Sequence, residues 1–166
     1  MNDVQIRPAK LSDADGINAV YNPFIRQSQA TFETEEYDRR RRENWLNELT
    51  RKPGRPVFVA TAGNKILGFA NAADFDSRGG YRTSVKTSIF LCPESQGSGL
   101  ALRLYGALFQ ALEGTGAHRA YALIVPPNPA SVGLHRRVGF ELVATLSEVG
   151  RKFGRYHDVM WFEKRL

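Results

Sequence analysis

The residues best suited to chemistry lie in the stretch SIFLCPESQGSGLALRLY, residues 88–105. An apolar run ending at Leu91 reads as a strand, and the helical pattern resumes directly behind Gly97-Ser98-Gly99. Such a turn aims several backbone N–H groups and the positive end of a helix dipole at one point, which suits a pyrophosphate. Glycine is apt there because a side chain blocks close approach and disfavours positive φ. No Lys-Ser or Lys-Thr follows, so the turn is not a P-loop, and Leu102 stands where a dinucleotide fingerprint needs its third glycine. A plain tight helix entry is the other reading. Cys92 is the sole cysteine. It permits no intrachain disulfide, suggests no cysteine metal site and adjoins no activating histidine. His135, in LHRRVGF, is a lone helical histidine that exchanges protons near neutral pH but reads as structural on sequence alone.

The elements that must position these residues follow from periodicity. Residues 3–8 alternate like a strand. Ser12 with Asp15 resembles a helix-start capping pair ahead of Ile17, Val20, Tyr21 and Phe24 on one helical face. A second helix covers about 38–51, with Trp45, Leu46 and Leu49 at helical spacing. Strands at 57–62 and 65–74 flank a Gly63-Asn64 turn, and 83–91 is a third strand. Ala101, Leu104, Tyr105, Leu108 and Leu112 mark an amphipathic helix, 119–125 a strand, 130–138 a short helix, and 141–148 and 157–164 two last strands. The order predicts an α/β or α+β fold, a mixed sheet with flanking helices, as a single domain over 1–166.

Composition narrows the class. The 166 residues are 42% hydrophobic and 24% charged, ordinary for a soluble globular protein. No apolar run is long enough to span a membrane, and MNDVQIRPAK does not look like a signal peptide. These features favour the cytoplasm, with no membrane partner expected. Lys and Arg total 23 against 17 Asp and Glu, a net charge of +6 that leans toward an anionic partner. The run Arg39-Arg40-Arg41-Arg42 reads as a solvated helix face; a nucleic-acid patch is the competing reading.

Gln96-Gly97-Ser98-Gly99-Leu100-Ala101 resembles the Q/R-x-x-G-x-G/A signature of the GCN5-related N-acetyltransferases (GNAT). IRPA, Asn22, Thr31-Phe32, Gly68-Phe69-Ala70, Ser77-Arg78 with Tyr81, Pro127-Asn128-Pro129-Ala130-Ser131, Leu134-His135, Gly139-Phe140 and Tyr156-His157-Asp158-Val159 follow in the order of the phosphinothricin/methionine sulfoximine acetyltransferase branch. The resemblance implies a GNAT fold: a mostly antiparallel mixed sheet splayed between two strands, with acetyl-CoA in the gap, no metal, and a homodimer. It implies that Ile89, Phe90 and Leu91 bond the pantetheine arm, that Gln96, Gly97, Ser98, Gly99, Leu100, Ala101 and Leu102 cradle the pyrophosphate, and that Asn128 contacts coenzyme A. Asn128 also reads as an N-cap ahead of Pro129.

By the same resemblance His135 takes part in catalysis, while Phe32, Arg78, Tyr81 and Tyr156 line the acceptor side; Tyr81 also fits a structural turn. The branch carries a glutamate where this chain has Lys86, within Ser84-Val85-Lys86-Thr87-Ser88. An ammonium cannot accept the amine's proton. Lys86 is therefore a lysine made neutral by burial, an anchor that holds a substrate acid group together with Arg78, or a cation at the sheet rim. The function expected is direct acetyl transfer from acetyl-CoA to the primary amine of a small amino acid or analogue. Acetylation of protein N-termini or lysines, and a non-catalytic acyl-CoA-binding module, are the alternatives.

Overall fold

A computed structural model of the chain describes residues 4–166. Residue 3, assigned above to the first strand, lies outside the described residues. β1 (Val4–Pro8) leads into a short 3-10 turn and α1 (Ala14–Gln27). The expected Ser12/Asp15 cap is not formed. Instead the Asp13 carboxylate accepts the Lys10 N–H at 2.8 Å and forks onto Arg7 at 2.7 and 2.8 Å. α2 (Arg39–Thr50) starts at Asp38, whose carboxylate accepts the Arg41 N–H at 2.6 Å.

β2 (Val57–Ala62) and β3 (Lys65–Asp74) form the hairpin around Gly63-Asn64, and β4 (Ser84–Leu91) returns antiparallel to β3. Gly68 lets those two strands close up, since a Cβ there would sit 2.8 Å from the Phe90 carbonyl. α3 (Leu100–Leu112), β5 (Arg119–Ile124), α4 (Pro129–Arg137), β6 (Glu141–Lys152) and β7 (Arg155–Arg165) complete the chain. Among the described residues seven strands run β1-β2-β3-β4-β5-β7-β6, with β4 and β5 the one parallel pair.

Two cores lie on opposite faces of the sheet. α3 buries Leu100, Leu104, Tyr105, Leu108 and Leu112 against Ala60, Val85, Ala122 and Phe162. Each such side chain contributes roughly 1.5–3 kcal/mol of burial free energy, offset by the entropy of ordering it. α1 and α2 bury Ile17, Val20, Leu46 and Leu49 against Val57, Val59 and Phe69. The helices thus sandwich the sheet and hold its middle strands at a fixed depth.

Candidate active site

β4 and β5 share only three rungs, Ser84 with Arg119, Val85 with Ala120 and Lys86 with Tyr121; beyond them the strands part. The Thr87 hydroxyl donates to the Tyr121 carbonyl at 3.3 Å, covering an acceptor the broken ladder leaves free. The Cys92 N–H bonds the Leu67 carbonyl of β3 at 2.9 Å, which fixes the parity of β4. By alternation Ser88 and Phe90 turn their backbone groups toward β3, while Thr87, Ile89 and Leu91 turn theirs into the gap. Phe90 therefore departs from the expectation of a backbone contact to the coenzyme. Its ring packs away from the gap on Tyr21, Phe24 and Phe69, at 4.8, 5.1 and 5.6 Å between centroids.

The glycine turn follows the open end of β4. Gly97 and Gly99 have φ of +75° and +80°, and nothing lies within 4 Å of where their Cβ atoms would be. The positive φ favours glycine, and the clear space leaves the backbone open to a ligand. Gly99 caps α3, and its carbonyl accepts from the Leu102 and Arg103 N–H groups at 3.1 and 3.3 Å. The Leu102 N–H is thus already engaged, and the Gln96 N–H bonds Pro93 at 3.2 Å. Ser98 ties the turn down through its hydroxyl to the Ser95 carbonyl at 2.6 Å. Leu100 is buried in the core, so only its backbone faces the turn, and Ala101 follows it in the first helical turn. Asn128 caps α4 by accepting the Ser131 N–H at 3.1 Å. The turn is open and runs into the N-terminus of α3, whose first N–H groups are the kind of donor a diphosphate needs.

His135 does not line the gap. It is buried beneath α3, 2.7 Å from the Tyr105 hydroxyl through Nε2 and 2.7 Å from the Ser131 carbonyl through Nδ1. Burial depresses its pKa below the ordinary histidine value, against a smaller opposing pull from the Ser131 carbonyl.

On the other face, beside Lys86, Phe75 gathers Tyr81, Tyr121 and Trp161 at 5.3, 4.8 and 5.8 Å. Lys86 is half-buried and in no ion pair among the described residues. Arg78 is not free: Nε and Nη2 fork onto Asp76 at 2.8 and 3.1 Å, with its guanidinium 5.2 Å over Tyr81. Further along the last hairpin, Phe32 sits on Gly150 of β6, where an added Cβ would lie 2.2 Å from its ring, and faces His157 of β7 at 6.1 Å. Tyr156 is 63% exposed and lies beside Arg151. Lys152 is buried and donates to the Ser28 and Thr31 carbonyls at 2.8 and 2.7 Å, tying the last hairpin to the α1–α2 connection. A cavity of about 700 Å³ lies between the end of α1, residues 34–36 and the hairpin tip, and none of the residues singled out from sequence lines it.

The sequence profile of the GNAT acetyltransferase domain matches residues 6–161. This chain is a GNAT acetyltransferase. It is 40% identical over 166 residues to a phosphinothricin N-acetyltransferase of Streptomyces coelicolor, covering 99% of this chain and 97% of that one. It is 35% identical over 162 residues to an L-methionine sulfoximine/L-methionine sulfone acetyltransferase of Pseudomonas paraeruginosa, covering 97% and 94%. Its fold matches the crystal structure of a GNAT superfamily phosphinothricin acetyltransferase from Sinorhizobium meliloti in complex with acetyl-CoA, with a TM-score of 0.92, 29% identity and coverage of 100% and 89%. The enzyme is thus an acetyl-CoA-dependent N-acetyltransferase with the splayed GNAT sheet.

Within this acetyltransferase the structure brings together the glycine turn, Ile89, Leu91 and Lys86 around one gap. It leaves Phe32 and Tyr156 along the last hairpin. The arginine run is not a solvated face throughout. Arg39 pairs with Asp15 and Glu43, Arg41 pairs with Glu33, and Arg42 is 2% exposed. Arg42 is boxed by Tyr37, Trp45 and Tyr21 at 4.2, 4.6 and 5.0 Å, and burial pulls its pKa down to about 10. Sequence reasoning did not single out Thr87, which meets the Tyr121 carbonyl where the ladder breaks, or the contact of Tyr105 with His135. Tyr105 sits at a core position of α3 and Thr87 in a β-branched run, so neither carries a signal of its own. No group of three or more potential metal ligands occurs among the described residues.

Proposed function

We propose that residues 1–166 act as one domain that moves the acetyl group of acetyl-CoA to the primary amine of a small amino acid or amino-acid analogue. The observation that carries this is the break in the β4–β5 ladder at Lys86 and Tyr121, with the open glycine turn at the same end of β4. In this reading the N–H groups of Gly97 to Ala101 hold the diphosphate, and Asn128 meets the coenzyme with the amide edge its cap leaves over. Thr87, Ile89 and Leu91 present backbone groups to the pantetheine arm. Acetyl-CoA supplies the activated acyl carbon. A backbone N–H directed into the gap stabilises the carbonyl oxygen as it gains charge, the carbon–nitrogen bond forms, and the carbon–sulfur bond breaks.

Lys86 serves as the anchor for the acceptor's carboxylate, since it stands on the last shared rung beside the gap and is in no ion pair among the described residues. Arg78, held by Asp76, shapes the rim with Tyr81, Phe75 and Tyr121. The names of the relatives support an amino-acid-like acceptor. The engagement of Arg39, Arg41 and Arg42 within the fold disfavours a nucleic-acid surface. The exposed apolar residues Leu142, Val143, Leu146 and Val149 on edge strand β6 support a homodimer formed there. The enzyme then works in the cytoplasm, where its lone Cys92 stays a thiol.

A thiol-release assay over the proteinogenic amino acids, methionine sulfone, methionine sulfoximine and phosphinothricin tests the reading. Turnover on one or more of these supports it. Acetyl-CoA binding without turnover across the panel replaces it with a non-catalytic acyl-CoA-binding module.

A further inference from the structure

The sheet face that carries Lys86 is covered only in part. α1 and α2 pack there on β2, β3 and β4, and among the described residues their core takes nothing from β5, β6 or β7. Strand alternation fixes what the uncovered part presents. Ala120, Ala122 and Ile124 of β5 and Phe162 of β7 belong to the α3 core, so Tyr121, Leu123 and Trp161 turn the other way, to the face of Lys86. Tyr121 is opposite Lys86 on the last β4–β5 rung, and Leu123 is opposite Trp161 on the β5–β7 ladder. Phe75, just past β3, leans on Tyr121 and Trp161 at 4.8 and 5.8 Å between centroids.

These rings form a floor that starts at the apex of the gap. Trp161 Nε1 is buried without a hydrogen-bond partner, so the indole offers its ring and not its donor. Neighbouring strands lie roughly 4.8 Å apart, so the floor from Lys86 to Trp161, two strands over, spans about 10 Å. A benzyl or indolylmethyl group fills that span, and a methyl group does not.

The charges around the floor select further. Arg78 is forked onto Asp76, and Arg119 lies 3.6 Å from Glu163, the residue opposite Tyr121. Lys86 has no such partner among the described residues, so it can take one carboxylate. A second anion on the acceptor's side chain would meet Asp76 and Glu163 with both bordering arginines already paired, and would lose its hydration over aromatic rings.

We propose that the acceptor is an α-amino acid with a large, uncharged aromatic side chain, which lies on Phe75, Tyr121 and Trp161 while Lys86 holds its carboxylate and its amine meets the gap. Three points then fix the substrate: a cation, a thioester and an apolar floor. Phosphinothricin, which adds a phosphinate, is disfavoured. This inference rests on the proposed function, within which it names the acceptor class.

The test is kcat/KM for L-tryptophan, L-phenylalanine, L-alanine, L-glutamate and phosphinothricin in the wild type, Phe75→Ala and Leu123→Asp. In the wild type the better aromatic acceptor should exceed alanine, glutamate and phosphinothricin by about tenfold or more. In both variants the ratio of kcat/KM for phenylalanine to that for alanine should fall about tenfold, a ratio that a general loss of folded enzyme leaves unmoved. Leu123 is 43% exposed, so a charge there does not enter the core if Phe75→Ala should fail to fold. A flat profile, a preference for phosphinothricin or glutamate, or a ratio unchanged in Leu123→Asp overturns the proposal and leaves the proposed function standing. No turnover on any of the five or on the methionine analogues removes both. If Leu123→Asp turns a dimer into a monomer in sedimentation and spares the aromatic preference, a second copy covers this face and the proposal falls.

Discussion

Lys86 stands opposite Tyr121 on the last rung that β4 and β5 share. One residue earlier or later, its side chain would lie on the opposite face, with the α3 core. Its position puts a cation at the mouth of the gap among aromatic rings, beside a carboxylate, Asp76, whose pKa the Arg78 hydrogen bonds lower. The cation left to meet an acceptor is therefore Lys86.

Replacing Lys86 by Met keeps the length and removes the charge. KM for acceptors bearing a carboxylate should rise about tenfold or more, the size of a lost charge-assisted hydrogen bond. Affinity for acetyl-CoA should not change. An unaltered KM across the amino-acid panel would remove Lys86 from acceptor binding.

Gly99→Ala puts a Cβ on a residue at φ +80°, where an L-residue costs roughly 1–2 kcal/mol, and narrows the open turn. The expected result is an acetyl-CoA dissociation constant weakened about tenfold with acceptor selectivity unchanged. Calorimetry measures the first and the acceptor panel the second. An alanine variant that binds acetyl-CoA as well as the wild type contradicts the cradle.

Asp13 makes its bidentate bond to Arg7 while it also holds the Lys10 N–H, and these lower its pKa, the Arg7 hydrogen bond most, against a burial effect that raises it. A depressed carboxylate stabilises the fold above the unfolded value near ~3.9, and the contribution is lost as pH falls through the lower folded value. Asp13→Asn should cost about 1–3 kcal/mol in urea unfolding at neutral pH and flatten the stability profile below about pH 4. An acid limb of unchanged slope would show that other carboxylates carry it.

His135 is held neutral by burial, so its folded pKa lies below that of the unfolded chain. The sign is that of a depressed group: its contribution is present above about pH 6.5 and is lost as the pH falls through the folded value. The wild type should lose stability between pH 7 and 5, and His135→Gln should remove much of that slope. Parallel urea midpoints for the two proteins over this range would contradict the buried neutral ring.

Leu146 and Val149 are 40% and 57% exposed on edge strand β6. Leu146→Lys should turn a micromolar solution of dimer into monomer by sedimentation velocity. A wild type that sediments as a monomer removes the dimer altogether.

Much of the architecture could be read from residue patterns because each segment repeats cleanly. The β2–β3 hairpin falls on the turn that Gly63-Asn64 demands, and the α3 stripe is apolar at helical spacing. Boundaries failed where long-range contacts decide them. β6 and β7 run to Lys152 and from Arg155 because pairing continues past a register shift between Leu146 and Gly150 that breaks the alternation. Ser12 does not cap α1, and Asp13, fixed by Arg7 on the preceding strand, instead accepts the Lys10 N–H ahead of it. In the site, the glycine turn was legible because positive φ leaves a mark on residue type. Phe90 was misjudged because strand parity depends on which edge β3 occupies, and Arg42 because a charge run does not show that one member will find an aromatic box. The Tyr105–His135 hydrogen bond joins residues 30 apart, so no local pattern announces it.

The ammonium of Lys152, gripped by carbonyls from the α1–α2 connection, makes the carboxy-terminal hairpin a buttress for the segment that carries Phe32, which the resemblance puts on the acceptor side. The Gly97–Gly99 loop has no such dependence, because its supports are β4 and α3. Loosening that lysine should therefore yield an enzyme that still captures its acyl donor but has grown indiscriminate about what it acetylates, so the two recognition events can drift separately under selection.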